Sequence, residues 1–366
     1  MRFNITKNAF YEVLGYLKGI IPTNSALPMM QNFFLSGHDG KLTIVGTDQD
    51  NTIRVEMPAD VVEPGDIVLP FKFLYDTISN IPVDSVLVFE KKDDFMSINS
   101  GKNKFDVVFA DSRDYPQPPK FNETYSFTLE TKLLSDIIKK TQFAACHDKT
   151  RIHMAGLNFR IMQNILHVAG TDSKRLSYIK VPVQSEKECQ FTIPLETLKQ
   201  VRLLCDKYDK VDVVLTDDEN QIVFRFDGVI YYSRLLNDEF PDYLNIIPSD
   251  FQTRIVVGKE NFKDILRMAK PVALASSIKA LNVKVDESQL FIGAYAEEQG
   301  QFKTSLDVDK QGENTDINFN IDYFYQVLEV LSNDVLEIDF NGKARPAAIR
   351  EKDNDQFVYI VMPIRG

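Results

Sequence analysis

The chain repeats itself, and no other feature constrains its fold as strongly. Gly46-Thr47-Asp48 recurs as Gly170-Thr171-Asp172, 124 residues on. Pro70 and Pro194, each followed at once by a helix-like apolar pattern, have the same spacing, and Tyr115-Pro116 and Phe240-Pro241 lie 125 apart. Coincident spacing at three landmarks marks an internal repeat. At 366 residues the chain exceeds one ordinary core, and the repeat divides it into three nearly equal copies, with boundaries expected at 1–123, 124–250 and 251–366.

Periodicity gives the content of each copy. Phe10, Val13, Leu14 and Leu17 fall at i, i+3, i+4 and i+7, one apolar stripe of a helix over 7–18. Strands follow at 32–35, 42–46 and 52–57, with an Asp39-Gly40 turn between the first two. A second helix opens after Pro70, and strands at 86–89, 95–99 and 105–109 complete the copy. The order is strand, helix, three strands, twice over. Residues 111–122, with Pro116, Pro118 and Pro119, form a connector that regular structure cannot occupy. The second copy repeats the order with helices at Leu134–Ile138 and from Pro194 to Cys205, a hairpin around Gln163-Asn164 and a connector at Phe240-Pro241-Asp242-Tyr243. In the third, Phe262, Ile265, Leu266 and Ala269 restore the same stripe, and a helix ends near Leu331. The expected class is α+β, in three tandem copies of a doubled strand-helix-three-strand unit.

Composition excludes several functions. No run approaches the ~18 apolar residues of a membrane span, and the strand-like start Met1-Arg2-Phe3-Asn4-Ile5 has no signal core, so a cytoplasmic protein is expected. Cys146, Cys189 and Cys205 have no metal or disulfide spacing. Phosphate-loop, nucleophile-elbow and zinc-protease motifs are absent. Asp48 and Asp50 begin like a calcium loop, but the turn glycine is missing. His38, His147, His153 and His167 are scattered. No catalytic residue, metal or cofactor is expected.

The net charge of −11 argues against nucleic acid at face value. Its distribution argues otherwise. Lys259, Lys263, Arg267 and Lys270 keep to one helical face, and corresponding helices of the second copy carry Lys132, Lys139 and Lys140, then Lys199, Arg202 and Lys207. Acids concentrate at hairpin tips such as Asp93-Asp94 and Asp217-Asp218-Glu219. Cationic faces recurring on equivalent helices suit sequence-independent phosphate contacts.

These pieces together resemble the bacterial sliding clamp family, the beta subunit of DNA polymerase III. The resemblance spans the chain and rests on Gly46-Thr47-Asp48, Leu27-Pro28 with Asn32, Thr171-Asp172 with Arg175-Leu176, Phe240-Pro241-Asp242-Tyr243, Phe319-Asn320 with Tyr323, and Tyr359-Ile360-Val361-Met362-Pro363-Ile364-Arg365. It implies three clamp domains per subunit and a head-to-tail homodimer. The helices would line a hole around double-stranded DNA, with sheets outside. Such a protein is not an enzyme. It is the processivity factor of the polymerase III holoenzyme, and its partners are the replicative polymerase catalytic subunit, the clamp loader, and other polymerases and repair proteins carrying a clamp-binding peptide.

The resemblance also implies sites. A partner-peptide cleft between the second and third domains would include Met154, Thr171, Ser173, Arg175, Leu176, Pro241, Asn245, Ile246, Asn320, Tyr323, Pro346, Val361, Met362, Pro363, Ile364 and Arg365, with an apolar floor and with Arg175, Asn245 and Arg365 as polar anchors at the rim. The DNA-facing candidates are Asn24, Lys72, Lys139, Arg151, His153, Lys199, Arg202, Lys263 and Arg267. Phe105, with Val272 and Leu274 on the other side, would centre the subunit interface. The family pattern is departed from at Ser173-Lys174, Asn24, Asp148 and Glu196. Two other readings are a repeat-built enzyme with a site in an interdomain cleft, which the missing motifs disfavour, and a peptide-binding scaffold that does not touch DNA.

Overall fold

The computed structural model describes residues 1–148, 150–185, 187–217 and 220–364. The first copy runs β1 (Arg2–Thr6), α1 (Lys7–Leu17), β2 (Asn32–His38), β3 (Lys41–Thr47), β4 (Asn51–Pro58) and β5 (Asp60–Glu63). It continues with β6 (Gly65–Pro70), α2 (Phe71–Ser79), β7 (Val86–Lys91), β8 (Phe95–Ser100) and β9 (Asn103–Val108). The second has β10 (Glu123–Glu130), α3 (Thr131–Gln142), β11 (Gly156–Met162), β12 (Ile165–Thr171) and β13 (Arg175–Pro182). Then come β14 (Cys189–Pro194), α4 (Leu195–Cys205), β15 (Lys210–Thr216), β16 (Gln221–Phe226) and β17 (Val229–Arg234). The third has β18 (Thr253–Gly258), α5 (Lys259–Ala275), β19 (Ala280–Asp286), β20 (Gln289–Ala296), β21 (Gly300–Asp307) and β22 (Asp309–Gly312). It closes with β23 (Thr315–Asn320), α6 (Ile321–Leu328), β24 (Val335–Phe340), β25 (Ala347–Glu351) and β26 (Phe357–Val361).

The expected order is present in all three copies. Periodicity missed β5, β6, β14 and β22, which are short and end at Gly or Pro or lie at sheet edges. The connectors are also not wholly irregular: Ser112–Asp114 and Leu244–Ile246 each form a single 3-10 turn. The hairpin turns follow from their chemistry. Asp39 and Gly40, and Gln163 and Asn164, all have positive φ, the geometry that matches strand twist across a two-residue loop.

The chain divides into two compact units, and the middle copy contributes to both: residues Met1–Ser135 with Glu196–Leu235 form one, Asp136–Leu195 with the chain from Leu236 the other. In the first unit a five-stranded sheet has the order β5-β1-β7-β8-β9, and an eight-stranded sheet β10-β15-β16-β17-β4-β3-β2-β6. The α1 stripe is buried as its spacing requires, and Phe10 packs edge-on against Phe89 at 5.0 Å, which itself stacks on Phe3 at 4.5 Å. In the second unit a nine-stranded sheet runs β14-β11-β12-β13-β26-β25-β24-β18-β22 and a four-stranded sheet β21-β20-β19-β23. Here Phe262 and Phe319 pack edge-on against Phe324.

Successive copies are joined by strand pairing. The last strand of each first half meets the last strand of the next copy's second half. Thus β4 pairs antiparallel with β17, from Val55–Val229 to Asn51–Ser233. By the same rule β13 pairs with β26, from Arg175–Val361 to Ile179–Phe357. Tyr231 and Tyr359 occupy matching places in these seams, opposite Ile53 and Ser177, and both are fully buried.

The repeated glycine of the Gly-Thr-Asp motif lies where a helix comes close. A Cβ on Gly170 would stand 2.5 Å from the Thr141 carbonyl at the end of α3, and one on Gly46 would meet Leu17 of α1 at 3.0 Å. Gly170→Ala is therefore expected to lower stability by about 1–3 kcal/mol through overpacking. Gly15→Ala, in a helix interior where a Cβ meets nothing within 4 Å, should raise it by about 0.5–1 kcal/mol. Urea unfolding midpoints of the two variants check both signs.

Candidate functional site

The Gly-Thr-Asp motif builds the same turn twice. Asp172 accepts from the backbone N–H groups of Lys174 (2.9 Å) and Arg175 (3.1 Å), while the Thr171 hydroxyl donates to the Arg175 carbonyl (2.6 Å) and accepts from Ser173 N–H. Asp48 and Thr47 repeat each of these bonds with Asp50, Asn51 and Gln49. The residue two beyond threonine takes positive φ in both, +73° at Ser173 and +85° at Gln49. The short side chains of Thr and Asp are what satisfy the turn backbone locally. Asp48 Oδ1 thus serves the turn backbone.

At the second seam this turn presents Arg175, and the structure corrects the expectation of a rim anchor. Arg175 is only 8% exposed. Its Nε donates to Asp172 at 2.9 Å and its guanidinium to the side-chain oxygen of Gln326. The guanidinium lies 4.6 Å from the Tyr323 ring centroid and 5.8 Å from that of Phe143. A planar cation with five donors can satisfy a carboxylate, an amide and an aromatic face at once, so it tolerates burial that lysine would not. Burial raises the pKa of Tyr323 above the usual phenol value and does the same, more strongly, to Tyr359 in the seam beneath. Asp172, Phe143 and Gln326 were not among the expected residues. Only the three-dimensional meeting of α3's end, the turn and α6 shows their role.

Beside Arg175 lies an apolar floor: Leu176 and Tyr178 of β13, Ala348 of β25, Val358 and Ile360 of β26, and Phe240 and Tyr243 from the connector. Leu244 and Ile247, missed by sequence reasoning, pack on it. Met362 N–H donates to the Lys174 carbonyl at 2.9 Å, and Ile364 N–H to the Asn318 carbonyl at 2.8 Å, so the segment after β26 is tied on both sides. Among the expected cleft residues, Met154, Thr171, Leu176 and Val361 are buried core groups. Pro241, Asn320, Tyr323, Pro346, Met362, Pro363 and Ile364 are half-buried, and Ser173, Asn245 and Ile246 are exposed. Asn320 caps α6, accepting from Asp322 N–H, and Asn245 donates to Asp242. Arg365 lies outside the described residues. His167 beneath the floor is bonded to Tyr178 at 2.6 Å, and burial lowers the His167 pKa while raising that of Tyr178 to about 12.

The cationic candidates are in unequal states. Lys263 is no free cation: it is mostly buried and paired with Glu329 at 2.9 Å, because the lysine edge of α5 faces α6. Lys270 likewise reaches Asp322 and lies over the Tyr325 ring. Arg267 is exposed but paired with Asp264. Lys72 pairs with Asp76, Lys199 lies 4.0 Å from Glu196, and Lys139 is exposed with no ion pair among the described residues. Arg202 is half-buried and Asn24 is exposed on a loop. Arg151 donates to the Asp172 carbonyl and Ser173 hydroxyl, buttressing the turn, and His153 sits half-buried in the adjoining 3-10 turn. Phe105 is half-buried on β9, whose neighbour Val108 is 76% exposed, while Val272 and Leu274 lie on the last turns of α5, half-buried and exposed.

Among the described residues no three His, Cys, Asp or Glu side chains are grouped to hold a metal. Comparison with known proteins decides what the repeat is. Family models of the DNA polymerase III beta subunit match its N-terminal domain at residues 1–119, its central domain at 128–242 and its C-terminal domain at 244–365. The chain belongs to the DNA polymerase III beta subunit family. It is 27% identical to the beta sliding clamp of Bacillus subtilis over 379 residues, covering 100% of both chains. The solved Bacillus subtilis clamp superposes with a TM-score of 0.94 at 25% identity, covering 100% of this chain and 99% of the other. The Streptococcus pneumoniae beta chain gives 0.94 at 26%, covering both fully. The three copies are tandem clamp domains, and the sliding clamp is a non-catalytic processivity factor of DNA polymerase III. No helix of the described residues is long and apolar enough to cross a membrane.

Arg175→Ala removes a buried cation and leaves Asp172 without its partner, so it should cost on the order of 3 kcal/mol in urea unfolding, and Arg175→Lys should recover only part of it. Because the folded pKa of His167 is lowered, its contribution to stability is present above ~6.5, the unfolded value, and declines as pH falls below it. Unfolding measured at pH 7.5 and 5.5 should show that decline in the parent chain and less of it in His167→Gln.

Proposed function

We propose that this clamp subunit forms a head-to-tail homodimeric ring that encircles duplex DNA, slides along it, and tethers the replicative polymerase through the cleft beside Arg175. The clamp loader and other polymerases and repair proteins carrying a clamp-binding peptide would share that cleft, in the cytoplasm. The domains of the ring are 1–123, 124–250 and 251–366.

One observation carries the reading. Among the described residues, the rule that joins β4 to β17 and β13 to β26 leaves one strand of each kind without such a partner: β21 of the third copy's first half, and β9, which ends the first copy's second half. A second copy of the chain would supply both partners, and a two-fold arrangement closes. Transferring the seam register pairs Phe302 with Phe105, which takes the place held by Tyr231 and Tyr359 in the other seams. Phe105 and Phe302 are half-buried where those tyrosines are fully buried. Burying them also covers two open sheet edges.

Encirclement needs little affinity, because a closed ring cannot leave a closed track. An acidic protein with scattered, partly neutralised helix cations suits that, since tight phosphate contacts would hinder sliding. The exposed Lys139, and Lys199 with its long 4.0 Å approach to Glu196, are better placed for such contacts than Lys263, which is held at 2.9 Å by Glu329.

Analytical ultracentrifugation tests the ring: the parent chain should sediment as a dimer, and Phe105→Asp as a folded monomer at micromolar concentration. A Phe105→Asp chain that remains a dimer overturns the interface. Met362→Ala, or deletion of residues 362–366, should weaken polymerase binding at least tenfold while leaving the dimer intact, and unchanged affinity overturns the cleft. Lys139→Glu with Lys199→Glu should reduce retention on nicked circular DNA at low salt.

A further inference from the structure

The first seam carries its own version of the cleft. A cavity of about 410 Å³ opens where β4 meets β17 and the first connector crosses them. The repeat identifies its walls. Thr52 and Leu176 are each the register partner of the motif threonine, Thr47 and Thr171. Ser233 and Val361 pair with Asn51 and Arg175, and Arg234 and Met362 follow them directly. Gln221 and Pro346 immediately precede Ile222 and Ala347, the residues that pair with Ser233 and Val361. Met30 and Met154, both 5% exposed, belong to matching 3-10 turns, and Pro116 and Pro241 follow the corresponding aromatics Tyr115 and Phe240 in the two connectors.

The geometry is shared and the chemistry is not. Leucine, valine, methionine and proline at the second seam become Thr52, Ser233, Arg234 and Gln221 at the first. Gln49 and Gln117 add exposed amides at the mouth. Arg234 and Asp50 are paired there at 3.2 Å, both well exposed, so the cations and anions of the mouth neutralise each other. Met30, Pro116, Pro119 and Tyr232 supply only part of the lining, so an apolar peptide would also meet polar walls, and a charged one must break the Asp50–Arg234 pair to gain a partner. The amides of Gln49, Gln117 and Gln221 reward uncharged hydrogen-bonding groups, while the buried Thr52 and Ser233 hydroxyls are already bonded to Thr47 and Thr197.

We propose that this cavity is a second docking site, for an extended peptide segment of a partner protein with Asn, Gln, Ser or Thr side chains. The proposal builds on the cleft reading, because the homologous place in the second seam defines the mode of docking: a short extended segment laid across the seam under the connector. One subunit would then hold two segments of different polarity at once.

Saturation-transfer NMR on the full chain separates the two sites, using N-acetyl-Ser-Gln-Asn-Gln-Thr-amide as the polar probe and N-acetyl-Leu-Leu-Phe-amide as the apolar one. Transfer to the polar probe should fall at least threefold in Gln221→Leu, a half-exposed position, and persist in Met362→Ala. Transfer to the apolar probe should show the opposite pattern. No transfer to the polar probe, or transfer lost in Met362→Ala and kept in Gln221→Leu, overturns the second site. Apolar-probe transfer that is undiminished in Met362→Ala overturns the cleft reading separately. As a converse test, Thr52→Leu with Ser233→Val and Arg234→Met should raise apolar-probe stoichiometry by equilibrium dialysis from one to two per chain. If that triple variant is unfolded by circular dichroism, Arg234→Met alone, at an exposed position, should still lower transfer to the polar probe, and no change there overturns the proposal.

Discussion

Everything in this chain depends on antiparallel pairing between the last strands of successive copies. Each clamp domain has two open ends, and a strand edge left in water is both a loss of hydrogen bonds and a hazard. Pairing β4 with β17 and β13 with β26 turns the edges of separate domains into continuous sheets and buries Tyr231 and Tyr359 within them. The middle domain is thereby shared between two compact units, since its second half is fused by sheet to the first copy and its first half to the third.

The seams also explain where binding chemistry lies. A seam brings together a Gly-Thr-Asp turn, a strand end and a connector, three pieces distant in sequence. At the second seam Arg175 joins the turn to α6, held by Asp172, Gln326 and the Tyr323 ring, while the aromatic pair Phe240 and Tyr243 covers the sheet face that carries Leu176 and Tyr178. At the first seam the place of Arg175 is taken by Asn51, which accepts from Tyr231 and Thr197 hydroxyls. A cation on an aromatic ring becomes a small hydroxyl and amide cluster, and the cavity mouth turns polar with it, while Val223, Ile230 and Tyr232 keep the sheet face apolar. Tyr115 of the first connector still packs on Val45 and Val68 as Phe240 and Tyr243 pack on their sheet. The scaffold is conserved by the repeat while the recognition surface is free to differ.

The same separation applies to charge. A chain with a net charge of −11 carries cations on equivalent helices, but α5 shows that a basic helical edge is not a free one. Lys263 and Lys270 serve the packing of α5 against α6 through Glu329 and Asp322, whereas Lys139 stands exposed. Partly exposed pairs of this kind add little stability. Their larger effect is to lower the positive potential available to a polyanion.

The sequence by itself determined the helices, most strands and their order, because helical stripes such as Phe10-Val13-Leu14-Leu17, two-residue turns such as Gln163-Asn164 and the self-satisfying Gly-Thr-Asp turn are set by residues within a few positions of one another. The short edge strands β5, β6, β14 and β22 carry no such pattern. The sequence also determined the number of copies, since a repeat is visible without knowing how it folds. It could not determine which edges pair, that Arg175 is buried and not at a rim, or that Lys263 is bound to Glu329. Those outcomes join residues as distant in the chain as Arg175 and Val361, or Arg175 and Gln326, 151 positions apart, and no local pattern encodes such a contact. Tertiary structure decided them, because burial and electrostatic pairing are fixed by which surfaces meet and not by the order in which residues are written.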